Sequence, residues 1–141
     1  MHCNGWSRRL CQGYLVDTPR NGIGSPALSL LVLECNDIDA AKEFYELLGL
    51  SFVSERHGSG PLHYSVTLGS MVLEIYPRKA GAMSAPLRIG FRVTALDAAI
   101  ERLRSAGARV TREPHDSAWG RRAVVSDPDS NRVELTEHAG E

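Results

Sequence analysis

Apolar positions along the chain switch between two periods. In residues 36–49 they fall at Ile38, Ala41, Phe44, Tyr45 and Leu48, and in residues 94–107 at Leu96, Ala99, Ile100, Leu103 and Ala106. Steps of three and four place each set on one face of a helix. Elsewhere the period is two, as expected of strands with one buried face. Residues 29–35 and 87–93 read as strands before the helices. Short strands at 51–55 and 109–112 follow them, then two further strands in each half, the last at 71–76 and 132–136.

The two halves match in register. Asn36 and Thr94 stand at the helix starts, where a side-chain oxygen can cap the first turn. Asp39 and Asp97 follow three residues later, and Gly49 and Gly107 stand at the C-terminal stops. Three features recurring at one offset indicate an internal duplication. The fold class expected is α+β, with two tandem βαβββ modules (27–78 and 86–137) forming a curved mixed sheet around a cleft. Residues 1–26 have no sustained periodicity and form an N-terminal arm. Trp6 and Tyr14 could dock that arm on the domain or bridge to a second subunit. Residues 138–141 are a tail.

Alternation also assigns faces. The rows Met71/Leu73/Ile75, Leu87/Ile89/Phe91/Val93, Tyr64/Val66/Leu68 and Val133/Leu135 point toward the helices. The opposite face then carries Leu30, Val32, Glu34, His63, Val72, Glu74, Tyr76, Arg88, Arg92 and Glu134. A merely solvated face would favour Lys and Thr. This mixture of apolar, acidic and basic groups suits a small-molecule cleft instead.

Composition narrows the partners. Sixteen basic residues against seventeen acidic ones leave a net charge of −1, which supplies no field for nucleic acid or an anionic membrane. No apolar run is long enough for a membrane span or a secretory signal, so a cytoplasmic location is expected. Cys3, Cys11 and Cys35 show neither metal-finger spacing nor an even disulfide count, and Cys35 reads as a small apolar filler. His57 and His115 are expected in exposed loops. Gly58–Ser59–Gly60–Pro61 is a hairpin turn, since a phosphate loop must lead into a helix. Asp127–Pro128–Asp129–Ser130–Asn131 is a turn in which Ser130 would carry any left-handed backbone.

The stretch Asp37-Ile38-(x5)-Phe44-Tyr45-(x3)-Gly49-Leu50, the strand Leu73-Glu74-Ile75, and the run 127–135 resemble the vicinal oxygen chelate superfamily. That group includes glyoxalase I, extradiol dioxygenases, methylmalonyl-CoA epimerase and the fosfomycin- and bleomycin-resistance proteins. The resemblance covers about four-fifths of the chain. It implies that a divalent metal, where one is used, sits on four strand positions, which correspond to Leu30, Glu74, Arg88 and Glu134. Two of these side chains cannot be ligands, because Leu30 has no donor atom and Arg88 is a permanent cation. Arg88 is therefore expected to replace the metal's charge and bridge Glu74 to Glu134.

The resulting reading is a small-molecule-binding protein of the glyoxalase/bleomycin-resistance type, without a metal cofactor and paired as a homodimer. Its ligand would meet Val32, Glu34, His63, Val72, Glu74, Tyr76, Arg88, Arg92, Trp119 and Glu134. Tyr76 and Trp119 would supply aromatic walls. Arg92, Arg121 and Arg122 could recognise an anionic group or simply pair on the surface. The alternative is a lyase, isomerase or dioxygenase of the same superfamily. It would use Glu74, Glu134 or His63 as acid or base, or a rearranged divalent metal site made of His63, Glu74 and Glu134. A third reading is a protein-interaction module that uses the N-terminal arm.

Overall fold

In the computed structural model, residues 26–83 and 85–137 are described. The arm with Trp6, Tyr14, Cys3 and Cys11, and the tail, lie outside these residues apart from Pro26. The first half runs β1 (Leu30–Cys35), α1 (Ile38–Glu46), β2 (Val53–Glu55), β3 (His63–Leu68) and β4 (Met71–Pro77). The second runs β5 (Arg88–Val93), α2 (Leu96–Ser105), β6 (Arg109–Ser117), β7 (Gly120–Ser126) and β8 (Arg132–Glu137). Each half makes a four-stranded mixed sheet, ordered β1-β4-β3-β2 and β5-β8-β7-β6. In each, the helix carries the chain from the first strand to the opposite edge of the sheet, the first strand pairs parallel with the last, and the other pairs are antiparallel. The α+β class and the repeated βαβββ order are both present.

One core joins the halves. Leu33, Tyr45, Leu73 and Ile75 from the first half cluster with Ile100, Leu103, Val125, Val133 and Leu135 from the second. Ile89, Phe91 and Val93 pack against that cluster half-buried, as do Tyr64, Val66 and Leu68. The rows assigned to the helix side by alternation therefore meet the core except at their ends, where Met71 and Leu87 do not pack on it and Leu87 is exposed. Cys35 is fully buried there, and burial, followed by the Asp129 carboxylate, pushes its thiol up to about 12. It stays protonated and behaves as an apolar filler.

Helix capping departs from the expected residues. Asp37, not Asn36, caps α1, its carboxylate accepting from the N–H groups of Asp39 and Ala40 at 3.0 and 3.1 Å. Asn36 is committed to tertiary contacts, its N–H donating to Asp129 Oδ1 at 2.9 Å and its side-chain oxygen accepting from Arg78. Thr94 likewise does not cap α2. The N-cap position is Ala95, and the Leu96 N–H donates to Glu137 Oε2 of β8 at 3.0 Å. Asp97 instead receives both donors of the Arg121 fork. Gly49 and Gly107 do take positive φ, at 99° and 89°.

The turn between β7 and β8 holds the halves together. Tyr45 Oη, from α1, donates to Asp127 Oδ2 at 2.6 Å. The same carboxylate accepts from the N–H groups of Asp129 and Asn131 and from Asn131 Nδ2, at 2.8–2.9 Å. Asn131 Oδ1 then accepts from the Leu87 N–H at 2.7 Å, which fixes the start of β5. Tyr45 is fully buried, and desolvation first, with Asp127 second, raises its hydroxyl far above the ordinary value. The phenol therefore remains a donor.

Ser130 closes this turn at φ 67°, the left-handed backbone its position demanded. An L side chain costs about 1–2 kcal/mol in that region, partly offset by the flexibility glycine adds to the unfolded chain. Ser130→Gly should therefore raise stability by up to about 1 kcal/mol, read as a higher urea midpoint at unchanged m-value. A lower midpoint would show that the seryl side chain compensates its strain. Tyr45→Phe, which strands the Asp127 lone pair, should cost about 1.5–3 kcal/mol, as loss of a hydrogen bond to a charged group does. A loss under ~0.5 kcal/mol in the same unfolding measurement would show that the bond is not what joins the halves.

Candidate functional site

The sheet faces turned away from the helices carry most of the chemistry. On the first sheet, cross-strand pairing places Leu30 beside Val72, Val32 beside Glu74, and Glu34 beside Tyr76. Ser65 lies opposite Glu74 on the other side, and Val53 and Glu55 of β2 continue the face opposite Ser65 and His63. Leu30 is 49% exposed and Val32 38%, an apolar patch without cover among the described residues. The face stays open rather than forming a closed cleft. A hollow of about 240 Å³ lies at its β1 edge, lined in part by Val32, Glu34, Arg78 and Asn131. A larger groove of about 460 Å³ lies on the helix side, lined by Phe44, Leu47, Ala108 and Ser130 among others. No predicted site residue lines that groove, so volume and chemistry point to different places. The chemistry-bearing sheet face is the better candidate, because binding requires polar groups that converge.

His63 is on the predicted face but is not open to it. It is 1% exposed, stacked on Tyr76 with ring centroids 4.1 Å apart and covered on another side by His57 at 5.2 Å. Its Nδ1 lies 3.2 Å from the Pro61 carbonyl, which can only accept, so in the neutral ring Nδ1 carries the proton. Nε2 then accepts from the Tyr76 hydroxyl at 3.2 Å. Desolvation first, and then the Glu74 and Glu55 carboxylates, raises the Tyr76 hydroxyl above its ordinary value. Glu55 and His57 are neighbours that sequence reasoning missed: Oε2 of Glu55 lies 3.5 Å from Nε2 of both His57 and His63. Pairing of Glu55 with His63 across the Gly58–Pro61 turn was the available clue. Among the described residues, His63, Glu74 and Glu134 do not form a ligand group; His63 gathers with Glu55 and His57 instead.

The far face of the second sheet is basic. Arg88 on β5, Arg132 on β8 and Arg122 on β7 surround Glu134, and Arg92 lies further along β5 beside Thr136. Arg88 meets Glu134 but makes no bond to Glu74, so the bridge expected between two carboxylates is absent. The second cation on Glu134 is Arg122, at 2.7 Å. Trp119 is 73% exposed at the tip of the β6–β7 hairpin, and the Arg122 guanidinium lies 5.9 Å from its ring centroid. Arg121 pairs on the surface with Asp97 and Asp116. His115 is in strand rather than loop. The edge strand β6 continues through Pro114 by shifting register between Arg112 and His115.

A model of the Glyoxalase/Bleomycin resistance protein/Dioxygenase superfamily matches residues 27–135. The chain belongs to this superfamily. It is similar to TnmS3, an antibiotic binding protein from Streptomyces sp. CB03234, at 26% identity and TM-score 0.67 over 83% of this chain and 99% of that one. A glyoxalase/bleomycin resistance protein from the same Streptomyces is 27% identical, with TM-score 0.62 over 78% of this chain and 99% of its own. Lactoylglutathione lyase from Agrobacterium tumefaciens, 19% identical with TM-score 0.59 over 80% and 94%, shares the fold.

Leu30, Glu74, Arg88 and Glu134 stand at the four strand positions where the resemblance led to the expectation of a divalent ion, if one is used. Those side chains do not fit one. Leu30 is an exposed hydrocarbon, and the Arg88 guanidinium occupies the carboxylate of Glu134 with a fixed positive charge. Arg88 first, and Arg122 and Arg132 less, hold the Glu134 carboxyl below the ordinary 4.5. A depressed carboxyl pKa contributes stability that is complete above the unfolded value and is lost as pH falls through the folded one. In Arg88→Ala the carboxylate keeps Arg122, so its pKa should rise toward 4.5 and not to neutrality, and the acid-side loss of stability should shrink. Carboxyl chemical shifts of Glu134 followed through an acid titration measure this, and an unchanged midpoint would assign the depression to Arg122.

Proposed function

We propose that this protein binds a small, largely apolar organic molecule against the far faces of its sheets and does so without a metal at the superfamily's usual positions. The observation that carries the reading is the Leu30–Val32–Val72 patch, without cover among the described residues and bordered by Glu74 and Tyr76, on a face where exposed apolar side chains otherwise cost solubility. The basic face of the second sheet complements it. Glu134 already engages Arg88 and Arg122, while Arg92 and Arg132 have no ion-pair partner among the described residues. Those free guanidinium groups suit acceptor-rich ligand groups such as carboxylates or phenolates. Trp119 and Tyr76 offer planar surfaces. The similarity to an antibiotic binding protein supports the same ligand class.

A second copy would complete such a site. Among the described residues, strands β1 and β5 each pair on one side only, and such an edge beside an apolar face is a natural contact for a homodimer. No described helix is long and apolar enough to cross a membrane, and a cytoplasmic binding protein accords with that.

The test is a panel of polycyclic aromatic antibiotics screened by thermal shift and then by calorimetry, with Leu30→Glu as the matched variant. A true ligand at a hundred times its Kd should stabilise the wild type by about 2.7 kcal/mol. Leu30→Glu should fold with stability within ~0.5 kcal/mol of wild type, since the position is exposed, and should lose the ligand-induced shift. Equal shifts in both proteins would place the ligand elsewhere, and no shift across the panel would remove this ligand class.

A further inference from the structure

We infer that Glu55, His57 and His63 form a binding site for a divalent transition-metal ion of the zinc type, separate from the superfamily's four metal positions. The three offer one carboxylate oxygen and two imidazole nitrogens, all within 4.8 Å of one another. Such a mixed nitrogen and oxygen set suits zinc and its borderline neighbours rather than calcium or magnesium.

Distances match the geometry such an ion requires. Zn–N and Zn–O bonds of about 2.0–2.1 Å place neighbouring ligand atoms of a tetrahedron roughly 3.4 Å apart. Glu55 Oε2 stands 3.5 Å from His57 Nε2 and 3.5 Å from His63 Nε2. Two of the three edges are thus already in place. The third closes by rotation of the His57 side chain, which is 73% exposed beside Gly58.

The buried ligand is oriented as metal-binding imidazoles are. Donation from Nδ1 to the Pro61 carbonyl leaves Nε2 as the unprotonated nitrogen, which accepts from the Tyr76 hydroxyl and lies 3.5 Å from Glu55 Oε2. Stacking on Tyr76 prevents the ring from turning away. The chain reversal that brings His57 and His63 together is itself specified. Gly58 adopts φ 58°, and the Gly60 N–H donates to the His57 carbonyl at 2.9 Å. A purely hydrogen-bonding role for His63 is complete with Pro61 and Tyr76. It does not account for His57 Nε2 and His63 Nε2 each standing 3.5 Å, one tetrahedral edge, from the same Glu55 oxygen. Three protein ligands leave a fourth position open beside the Tyr76 hydroxyl, which would pass its hydrogen bond from Nε2 to a bound water.

Zn2+ titrated into the full, untagged chain by calorimetry, with Co2+ as the spectroscopic probe, tests the site. The expected result is one ion per chain and the intense visible bands of four-coordinate Co2+. His57→Ala and Glu55→Gln should each weaken Zn2+ by at least ~tenfold, the least a disturbed ligand shell typically costs. Both positions reach solvent, so these variants should fold even if His63→Ala does not. His115→Ala, a histidine of the second sheet, should bind as the wild type does. Absence of Zn2+ binding would overturn the site, as would an affinity that neither His57→Ala nor Glu55→Gln changes. Neither variant alters Leu30 or Val32, so this result is independent of the organic ligand.

Discussion

A single buried carboxylate sets the relation between the two halves. Asp127 is 5% exposed and accepts four hydrogen bonds, three from its own turn and one from Tyr45 of the other module. A buried charge is tolerable only when its lone pairs are filled, so the turn and the tyrosine require each other. Everything that faces away from the helices inherits its position from this junction. Asn131 extends it to the start of β5, and Asp129 extends it to the backbone of Asn36 after β1. The first strands of both halves, which carry Leu30, Val32, Arg88 and Arg92, are thereby anchored at one buried point.

With the frame held in that way, the two sheets are free to diverge chemically. The first has an apolar patch and an acid–imidazole corner; the second is dominated by arginine around one glutamate. Duplication supplied the same backbone twice, and Leu30 and Arg88 occupy equivalent positions on the first strand of each half. A hydrocarbon and a guanidinium at these matched positions give a surface with an apolar end and a cationic end. That polarity suits recognition of an organic molecule better than coordination of an ion between the halves.

Much of the fold was legible in the sequence because it depends on short-range periodicity. The alternation of Leu73 with Glu74, or of Val133 with Glu134, assigns faces without knowledge of neighbours. Ser130 at a left-handed position was legible for the same local reason. What escaped depends on partners distant in sequence. Asn36 looks like a cap until Asp129 and Arg78 claim it, and Thr94 looks like one until Glu137 arrives from β8. Alternation placed Arg88 and Glu74 on one kind of face but could not say that Arg122 would reach Glu134 in place of the expected bridge. His63 was assigned to the correct side of its strand, yet its burial comes from a loop whose path no periodicity encodes.

The bond between Tyr45 and Asp127 spans 82 residues. A chain made from its N-terminus completes β1 to β4 long before that partner exists. At about 5–20 residues per second, α1 would wait roughly 4–16 s for Asp127 to be synthesised. Through that interval Phe44 and Tyr45 lack the surface that finally buries them, and the edge of β1 is open. The nascent first half is therefore the stage at which this protein is most exposed to misassociation, and the aspartate turn is the event that ends it.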